Sequence, residues 1–237
     1  MQPRTSRPSV SKRGAPPEAS WRSWLAGPGK FVLAAGVLLL ATVWLVRTSP
    51  YRKVVNLGSH GANIIAFGDS LTAGYGAPAG ADYPSQVSSM IGETLVNAGV
   101  SGDTTAGALA RIDPDVIARD PRIVIVGLGG NDFLQSVPIA TTEANLRAIV
   151  KRIHDAGAMV VILGFRFPSI TASYETMYAR VASEEGCLLI PDLLDGILSD
   201  SKLKSDEIHP NAAGYKLMAK RVAGPLETLI RKANAKR

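Results

Sequence analysis

Three residues of the sequence carry the chemistry of a nucleophile, a base and an acid. The block Gly68-Asp69-Ser70 stands directly after the apolar run 64–67, and Asp206 and His209 lie three residues apart near the other end of the chain. A serine hydroxyl is a poor nucleophile at neutral pH, so it needs a positioned base and hydrogen-bond donors for the oxyanion that it creates. An aspartate three residues before a histidine can reach the imidazole ring and fix its tautomer. The combination predicts a hydrolase.

The segments that must position these residues alternate between apolar runs and helix-like stretches. Five short apolar runs end in Gly, Pro or Asn and are predicted strands: 63–67, 93–97, 122–127, 158–164 and 187–190. Continuous apolar runs are typical of strands buried on both faces, and their alternation with helices is typical of a parallel sheet with crossover helices. The sequence therefore predicts an α/β fold around a five-stranded parallel sheet.

Two amphipathic helices are predicted from the spacing of apolar residues. The first covers 142–156, and Gly157 supplies its stop. The second should follow His209, because Pro210 suits a first helical turn and an apolar stripe continues beyond it. We expect Gly224-Pro225 to kink or break this second helix.

Polar and glycine-rich blocks follow the first three predicted strands, at 68–76, 97–105 and 127–132. In an open parallel sheet, ligands bind beyond the carboxyl ends of the strands, so these blocks should meet at one edge. Together with the block Asp206-x-x-His209-Pro, they resemble the SGNH or GDSL hydrolase family, in particular its thioesterase I/lysophospholipase L1-like arylesterase branch. The resemblance covers roughly residues 62–235.

The resemblance implies a fold and a set of roles. The fold would be a three-layer α/β/α sandwich of the flavodoxin-like SGNH hydrolase type. Ser70 would be the nucleophile, His209 the general base, and Asp206 the group that orients His209. The oxyanion donors would be the backbone N–H groups of Ser70 and Gly102 and the side-chain amide of Asn131. A glycine at position 102 would let a backbone N–H approach the oxyanion closely.

Further carboxylates flank these residues, and we interpret most of them as structural. Asp69, Asp103 and Asp132 lie in loops, where carboxylates usually accept hydrogen bonds from backbone amides. Glu207 departs from the family pattern, in which a glycine often lies between the acid and the histidine block. It adds a carboxylate beside the Asp–His pair and could alter the local response to pH.

No cofactor or metal is expected. His60 and His154 are not spaced from one another, or from the single Cys187, as zinc ligands usually are. We interpret both histidines as structural or solvent-exposed, and Cys187 as a buried strand residue. The Gly127-x-Gly129 pattern hints at a dinucleotide loop, but Asp132 stands where the third glycine should be.

Four apolar residues follow the third and fourth predicted strands and could line a pocket for the acyl group. They are Phe133, Leu134, Phe165 and Phe167. The alternative interpretation is that these side chains anchor their loops to the core. The residues do not decide between the two.

The charge of the chain is concentrated at its start. The 237 residues carry a formal net charge of +6, but residues 1–53 hold nine Lys or Arg and one Glu, which leaves about −2 for the remainder. The composition therefore gives no support to a nucleic-acid groove in the main body. We expect one catalytic domain at 62–237, monomeric and without a nucleic-acid partner.

The first 61 residues divide into three predicted segments. Residues 1–30 are rich in Pro, Ser, Gly and Arg and are predicted to be a disordered basic tail. Residues 31–46 form an uncharged apolar run, which we interpret as a transmembrane signal anchor followed by a linker at 47–61. Six Lys or Arg precede the run, so the positive-inside rule places the catalytic domain outside the cytoplasm, on the periplasmic side. The alternative is a secreted enzyme after signal cleavage, although no small-x-small site follows the run.

The predicted function is hydrolysis of carboxylic esters through an acyl-enzyme on Ser70, and thioesters or lysophospholipids are further candidates. The substrate would be a small-molecule or lipid ester. Two alternatives remain open: an O-acetylesterase that acts on envelope polysaccharide, and a non-catalytic, membrane-tethered module that binds carbohydrate or lipid.

Overall fold

The computed structural model describes residues 31, 33–35, 37–38, 49–166 and 171–237. The chain divides into two compact units, Met1–Ser49 and Pro50–Arg237. The predicted tail 1–30 and most of the predicted anchor 31–46 lie outside the described residues. Within the described part of the chain, no helix has both the length and the apolar character needed to cross a membrane.

Five parallel strands form the sheet of the second unit. They are β1 (Asn63–Gly68), β2 (Leu95–Gly99), β3 (Pro121–Gly127), β4 (Met159–Leu163) and β5 (Leu188–Ile190). Their order across the sheet is β2-β1-β3-β4-β5, and each neighbouring pair is parallel. The five predicted strands are confirmed, with boundaries shifted by at most two residues.

Helices cover both faces of this sheet. They are α1 (Ser70–Ala73), α2 (Tyr83–Ile91), α3 (Thr105–Asp115), α4 (Gly130–Leu134), α5 (Ile139–Asp155), α6 (Thr171–Glu185) and α7 (Ala212–Asn234). Helix α2 packs against α7, while α5 packs against both α3 and α6. Every residue of β3 is buried, so the sheet is covered on both sides. The fold is the predicted three-layer α/β/α sandwich.

The predicted helix after His209 is present, and of the predicted kink or break at Gly224-Pro225 the break is wrong. Helix α7 begins after the cap residue Asn211, whose side chain accepts the N–H groups of the first turn, and continues without interruption through Pro225. A proline inside a helix costs about 3 kcal/mol, because it removes one backbone hydrogen bond and crowds the preceding turn. Fully buried side chains on either side of it, among them Val222 and Leu226, hold the helix in place.

The strand order creates a crevice between β1 and β3. These strands pair directly, although β2 lies between them in the chain. The connection after β1 and the connection after β3 therefore run in opposite directions along the sheet. Ligands of parallel α/β sheets bind at the point where the direction changes. Ser70 follows β1 and Asn131 follows β3, so both side chains lie at the carboxyl ends of the two strands that flank the crevice.

The segment that leads into β1 covers the amino ends of the strands, opposite the crevice. The N–H of Val55 donates to the carbonyl of Gly186, just before β5, over 2.9 Å. The Asn56 side-chain amide donates to the carbonyl of Ala158, just before β4, over 3.1 Å. Residues 50–61, part of the predicted linker 47–61, thus pack along the amino ends of the strands.

Candidate active site

A tight connection between β1 and α1 places Ser70. Gly68 ends the strand where a side chain has no room, because a Cβ would lie 2.2 Å from the Thr72 hydroxyl oxygen and 2.5 Å from the carbonyl oxygen of Gly127. Asp69 then caps α1, and its carboxylate accepts the N–H of Leu71 over 3.0 Å. The chain turns from strand to helix at Ser70, which is 9% exposed and faces the crevice.

Ser70, His209 and Asp206 form a continuous hydrogen-bonded line. The His209 Nδ1–H donates to the Asp206 carboxylate, with Nδ1–Oδ2 at 2.8 Å and Nδ1–Oδ1 at 3.0 Å. In that tautomer Nε2 is an acceptor, and it lies 2.9 Å from the Ser70 Oγ. The predicted nucleophile, base and orienting acid are therefore brought together in the geometry that removes a proton from the serine hydroxyl.

The loop that carries the acid and the base is fixed by backbone hydrogen bonds. The N–H of Ser205 donates to the carbonyl of His209 over 2.9 Å. The Asn211 side-chain amide donates to the carbonyls of Lys202 and Lys204 over 2.9 and 3.3 Å. Asn211 also caps α7, so one side chain holds both the start of the helix and the loop of Asp206 and His209.

The charge of Asp206 is maintained by three hydrogen bonds. Burial by itself raises the pKa of this carboxyl, but the N–H of Ile208, the ring of His209 and the N–H of His209 outweigh burial and hold the pKa below its ordinary value. The carboxylate therefore remains ionised into the acidic range. A charged Asp206 can stabilise the imidazolium that forms when His209 takes a proton.

Tyr75 is a contact of His209 that the sequence did not reveal. Its ring centroid lies 4.5 Å from that of His209, with the planes tilted by 49°. The hydroxyl of Tyr215 on α7 donates to the carbonyl of Tyr75 over 2.8 Å. Gly76 directly follows Tyr75 at φ 87°, and a Cβ there would lie 2.1 Å from the Ser205 hydroxyl oxygen.

The two predicted oxyanion donors outside Ser70 lie in neighbouring loops. The Asn131 side-chain amide donates to the carbonyl of Asp103 over 2.9 Å and lies 3.5 Å from Asp69 Oδ2. Gly102 immediately precedes Asp103 and has φ 82°, and a Cβ built there would meet no atom within 4 Å. Its glycine character is thus required by the left-handed backbone rather than by crowding, which refines the reason expected from the sequence.

A buried carboxylate joins these two loops. Asp132 is 1% exposed and accepts hydrogen bonds from the backbone N–H of Thr105, over 2.8 Å, and from the Thr105 hydroxyl. Thr142 on α5 adds a third donor at 3.4 Å. The structural role predicted for Asp132 agrees with these contacts.

Arg111 on α3 was not singled out by the sequence, yet it connects the ends of two strands. Its guanidinium donates to the carbonyl of Gly68 at the end of β1 and to the carbonyl of Ala98 in β2, each over 3.0 Å. Its Nε donates to the Asp103 carboxylate over 2.7 Å, and its carbon CZ lies 4.4 Å from the ring centroid of Phe67. One side chain therefore ties the loop of Ser70 to the loop of Gly102.

Asp69 has an unusual protonation equilibrium. It is 2% exposed, and burial raises its pKa from 3.8 to about 7, against the lowering effect of its hydrogen bond from Leu71. The negative charges of Asp103 and Asp132 raise the pKa further. At neutral pH this carboxyl next to Ser70 is therefore part protonated.

A cavity of about 320 Å³ opens beside Ser70 and His209. Two predicted pocket residues, Phe133 and Leu134, lie in its wall. Phe165 does not, because it is buried against Tyr178 with ring centroids 6.3 Å apart and borders another cavity. The fourth predicted residue, Phe167, lies outside the described residues. The loop after β5 supplies apolar wall residues that the sequence did not indicate: Leu194, Leu198 and Ile208.

The remaining histidines and the cysteine lie away from the site. His154 is half-buried near the end of α5, where burial lowers its pKa. Cys187 is buried just before β5, and burial raises the pKa of its thiol to about 12. In the ranges that the structure describes, no cluster of His, Cys, Asp or Glu side chains is arranged to hold a metal ion.

Comparison with known proteins identifies the family to which this site belongs. The sequence profile of the GDSL-like lipase/acylhydrolase family matches residues 66–217. The chain belongs to this family. The matched range of this GDSL-family chain includes the whole line from Ser70 to His209 and the loops of Gly102 and Asn131.

Individual relatives agree with the family assignment. Esterase TesA of Pseudomonas aeruginosa is 28% identical over 178 residues, which cover 70% of this chain and 89% of that protein. Thioesterase 1/protease 1/lysophospholipase L1 of Escherichia coli is 31% identical over 175 residues, covering 70% and 84%. The crystal structure of TesA superposes with a TM-score of 0.68 at 28% identity, covering 71% of this chain and 99% of that one. This GDSL-family member is an ester-bond hydrolase with the SGNH hydrolase fold.

Proposed function

We propose that this hydrolase cleaves carboxylic esters through an acyl-enzyme on Ser70, with His209 as general base and Asp206 as the orienting acid. The observation that carries the proposal is the distance of 2.9 Å between Ser70 Oγ and His209 Nε2. The line continues over 2.8 Å from His209 Nδ1 to Asp206 Oδ2. A complete line of this kind supports chemistry over the alternative of a non-catalytic binding module.

The first half of the reaction forms the acyl-enzyme. Ser70 Oγ attacks the ester carbonyl carbon as its proton passes to His209 Nε2, and the carbonyl oxygen becomes an oxyanion. The backbone N–H groups of Ser70 and Gly102 and the Asn131 side-chain amide are the proposed donors to this oxygen, and each contributes about 10²-fold or more in rate. The oxyanion then re-forms the carbonyl, and the leaving alcohol departs with the proton from His209.

The second half releases the acid. Water attacks the acyl carbon as His209 takes one of its protons, and a second oxyanion forms on the same donors. Its collapse breaks the bond to Ser70 Oγ, which recovers the proton from His209. Asp206 keeps its charge throughout and stabilises the imidazolium in both halves.

The cavity supports a modest acyl group as the substrate portion beside Ser70. Its volume of about 320 Å³ is near the lower end of small-molecule pockets, which measure about 300 to 1,000 Å³. Phe133, Leu194, Leu198 and Ile208 give it an apolar wall. The relatives named esterase and thioesterase 1/protease 1/lysophospholipase L1 are consistent with such substrates.

Labelling and turnover together test the nucleophile. The full chain should cleave p-nitrophenyl acyl esters and react with a fluorophosphonate at Ser70. Ser70→Ala should lower turnover by at least about 10³-fold without changing the circular dichroism spectrum. Ser101→Ala is the matched control, because Ser101 is an exposed serine in the neighbouring loop. Retained turnover in Ser70→Ala would assign the nucleophile elsewhere.

A substrate panel separates an acyl esterase from an O-acetylesterase. Acetylated sugars, p-nitrophenyl esters of increasing chain length and lysophospholipids are compared by kcat/KM. The apolar cavity leads us to expect higher kcat/KM for acyl chains longer than acetyl. A preference for acetylated sugar over every longer ester would overturn that expectation.

We also propose that residues 31–46 anchor the chain in a membrane with the hydrolase domain outside the cytoplasm. Support comes from the absence of charge in this run and from the six Lys or Arg that precede it. The full chain with a carboxyl-terminal tag should stay in the membrane fraction at alkaline pH, and protease added from outside the cytoplasm should reach the tag. Recovery of a shortened chain in the medium would instead show signal cleavage and secretion.

A further inference from the structure

The cavity beside Ser70 combines an apolar wall with a single cationic group. Among the described side chains that line it, Lys204 alone has an ammonium or guanidinium group. The Lys204 side chain is 21% exposed, so most of its stem is covered. The cavity therefore differs from a purely apolar acyl pocket, because it contains one ammonium group that can bind an anion.

Lys204 is attached to the catalytic loop by its backbone. It pairs with Pro210 in an isolated antiparallel bridge, and its carbonyl accepts the side-chain amide of Asn211. Pro210 directly follows His209, so the position of Lys204 and the position of the general base depend on the same short segment. A substrate held by Lys204 would be held relative to His209.

The Glu207 carboxylate pairs with Lys204 but competes only weakly with an anion that enters the cavity. The Lys204 Nζ lies 3.1 Å from Glu207 Oε2, but the Glu207 side chain is 92% exposed. Ion pairs between solvent-exposed groups contribute only about 0–1 kcal/mol, because water screens the attraction. An anionic group that enters the less exposed cavity can therefore replace the Glu207 carboxylate.

We propose that Lys204 binds an anionic group of the substrate, a carboxylate or a phosphate separated from the scissile carbonyl by a short apolar segment, and that Glu207 limits this selectivity by competing for the ammonium. The inference rests on the proposed reaction at Ser70 and deepens it. The substrate class is thus anionic esters rather than neutral ones. Leu194, Leu198 and Ile208 contact the apolar segment.

Matched ester pairs measure the selectivity. The p-nitrophenyl half-esters of dicarboxylic acids are compared with the same compounds capped as methyl esters, which lack the charge. The ratio of kcat/KM values, anionic over neutral, should fall about fivefold in Lys204→Gln and rise about threefold in Glu207→Gln. The neutral ester should be cleaved equally well by all three proteins. Higher salt should lower the ratio in the wild type and leave it unchanged in Lys204→Gln.

Two controls make the result specific. Lys202→Gln removes an exposed lysine of the same loop and should leave the ratio unchanged. A second pair of substrates places the negative charge, as a phosphate, on the leaving alcohol instead of the acyl chain. The pair that responds to Lys204→Gln identifies which side of the scissile bond the ammonium contacts. An unchanged ratio in both pairs would overturn the proposal.

A binding measurement separates this inference from the reaction itself. Monoamide analogues of the dicarboxylic half-esters are titrated into Ser70→Ala and into Ser70→Ala/Lys204→Gln, using the full chain. The second protein should bind the anionic analogue about fivefold more weakly and the methyl-capped analogue equally. If fluorophosphonate labelling fails but this difference is found, the reaction assignment is wrong and the anion site stands. Equal binding by both proteins rejects the anion site whatever the outcome at Ser70.

Discussion

The carboxylate of Asp132 accepts both the backbone N–H and the hydroxyl of Thr105, so the loop after β3 is joined to the loop after β2 inside the protein core. The neighbour of Asp132 is Asn131, and Gly102 lies three residues before Thr105. The two proposed oxyanion donors therefore depend for their mutual placement on one buried contact. An oxyanion hole works only when its donors are positioned before the charge develops.

Thr105→Val tests this dependence, because it removes the hydroxyl and keeps the shape. We expect kcat to fall about tenfold with KM changed by less than about twofold, since the donors act mainly in the transition state. Thr141→Val makes the same change at an exposed position of α5 and should have no effect on either constant. A rise in KM without a fall in kcat would show that the contact serves substrate binding instead.

Arg111→Lys tests the connection between β1, β2 and the Gly102 loop. A lysine ammonium is a single point charge and cannot reach the two carbonyls and the two carboxylates, of Asp103 and Asp115, that the guanidinium fork binds. The free energy of unfolding should fall by about 2 kcal/mol, measured by urea denaturation. Arg119→Lys, at a more exposed arginine paired only loosely with Asp115, should cost less than about 0.5 kcal/mol. Equal losses in the two variants would contradict the role given to Arg111.

Gly102→Ala separates backbone strain from catalysis. Gly102 and Gly80 have nearly the same positive φ, 82° and 78°, and both have open space around a built Cβ. Each alanine substitution should therefore cost about 1 kcal/mol of folding free energy. Only Gly102→Ala should also lower kcat, because only that backbone N–H is proposed to face the oxyanion. Parallel effects of the two variants on kcat would remove Gly102 from the oxyanion hole.

Asp69 predicts a pH dependence of stability. Its pKa is about 7 in the folded protein and 3.8 in the reference state, so between these values the folded state binds more protons than the unfolded state. The stabilising contribution is complete below pH 4 and is lost as pH rises to 7, on the order of 4 kcal/mol in total. The Asp69→Asn variant has no carboxyl group to ionise at this position. The unfolding free energy of the wild type minus that of the variant, from urea titrations at pH 4 to 8, should decrease over this range and then level off.

A pH-independent difference between the two proteins would contradict the shifted pKa of Asp69. The exposed carboxylate of Asp155 provides the comparison. The Asp155 side chain is 54% exposed and pairs with Lys151 on the surface of α5. Asp155→Asn should therefore give a difference that does not follow the pH curve of Asp69→Asn.

The sheet and the nucleophile could be predicted because their signals are local. Runs such as 123–126 are apolar at every position because both faces of β3 are covered. The blocks after β1, β2 and β3 are polar because they meet at the solvent-facing crevice. Asp206 and His209 could be paired from spacing alone, since they lie three positions apart and a ring nitrogen is within reach of the carboxylate.

Other parts of the site could not be predicted, because the groups that they contact are distant in the sequence or belong to the backbone. Arg111 binds the carbonyls of Gly68 and Ala98, and a backbone carbonyl leaves no mark in a sequence. The sequence leaves open whether Phe165 lines the acyl pocket or anchors its loop, and the order of the strands decides it, because β4 lies two places from β1 in the sheet. Its ring therefore packs on Tyr178 rather than beside Ser70. The continuity of α7 through Pro225 depends on tertiary packing, which overrides the local preference of proline for a helix break.

Residues 50–61 lie along the amino ends of the strands, while Ser70 lies at the carboxyl end of β1. The strands run from one end to the other, so the point at which the chain enters the domain is separated from the Ser70 hydroxyl by the length of the strands. A bead or an electrode coupled at residue 50 would leave the crevice open to the surrounding liquid. The domain can be immobilised by its amino end without blocking its own substrate entrance.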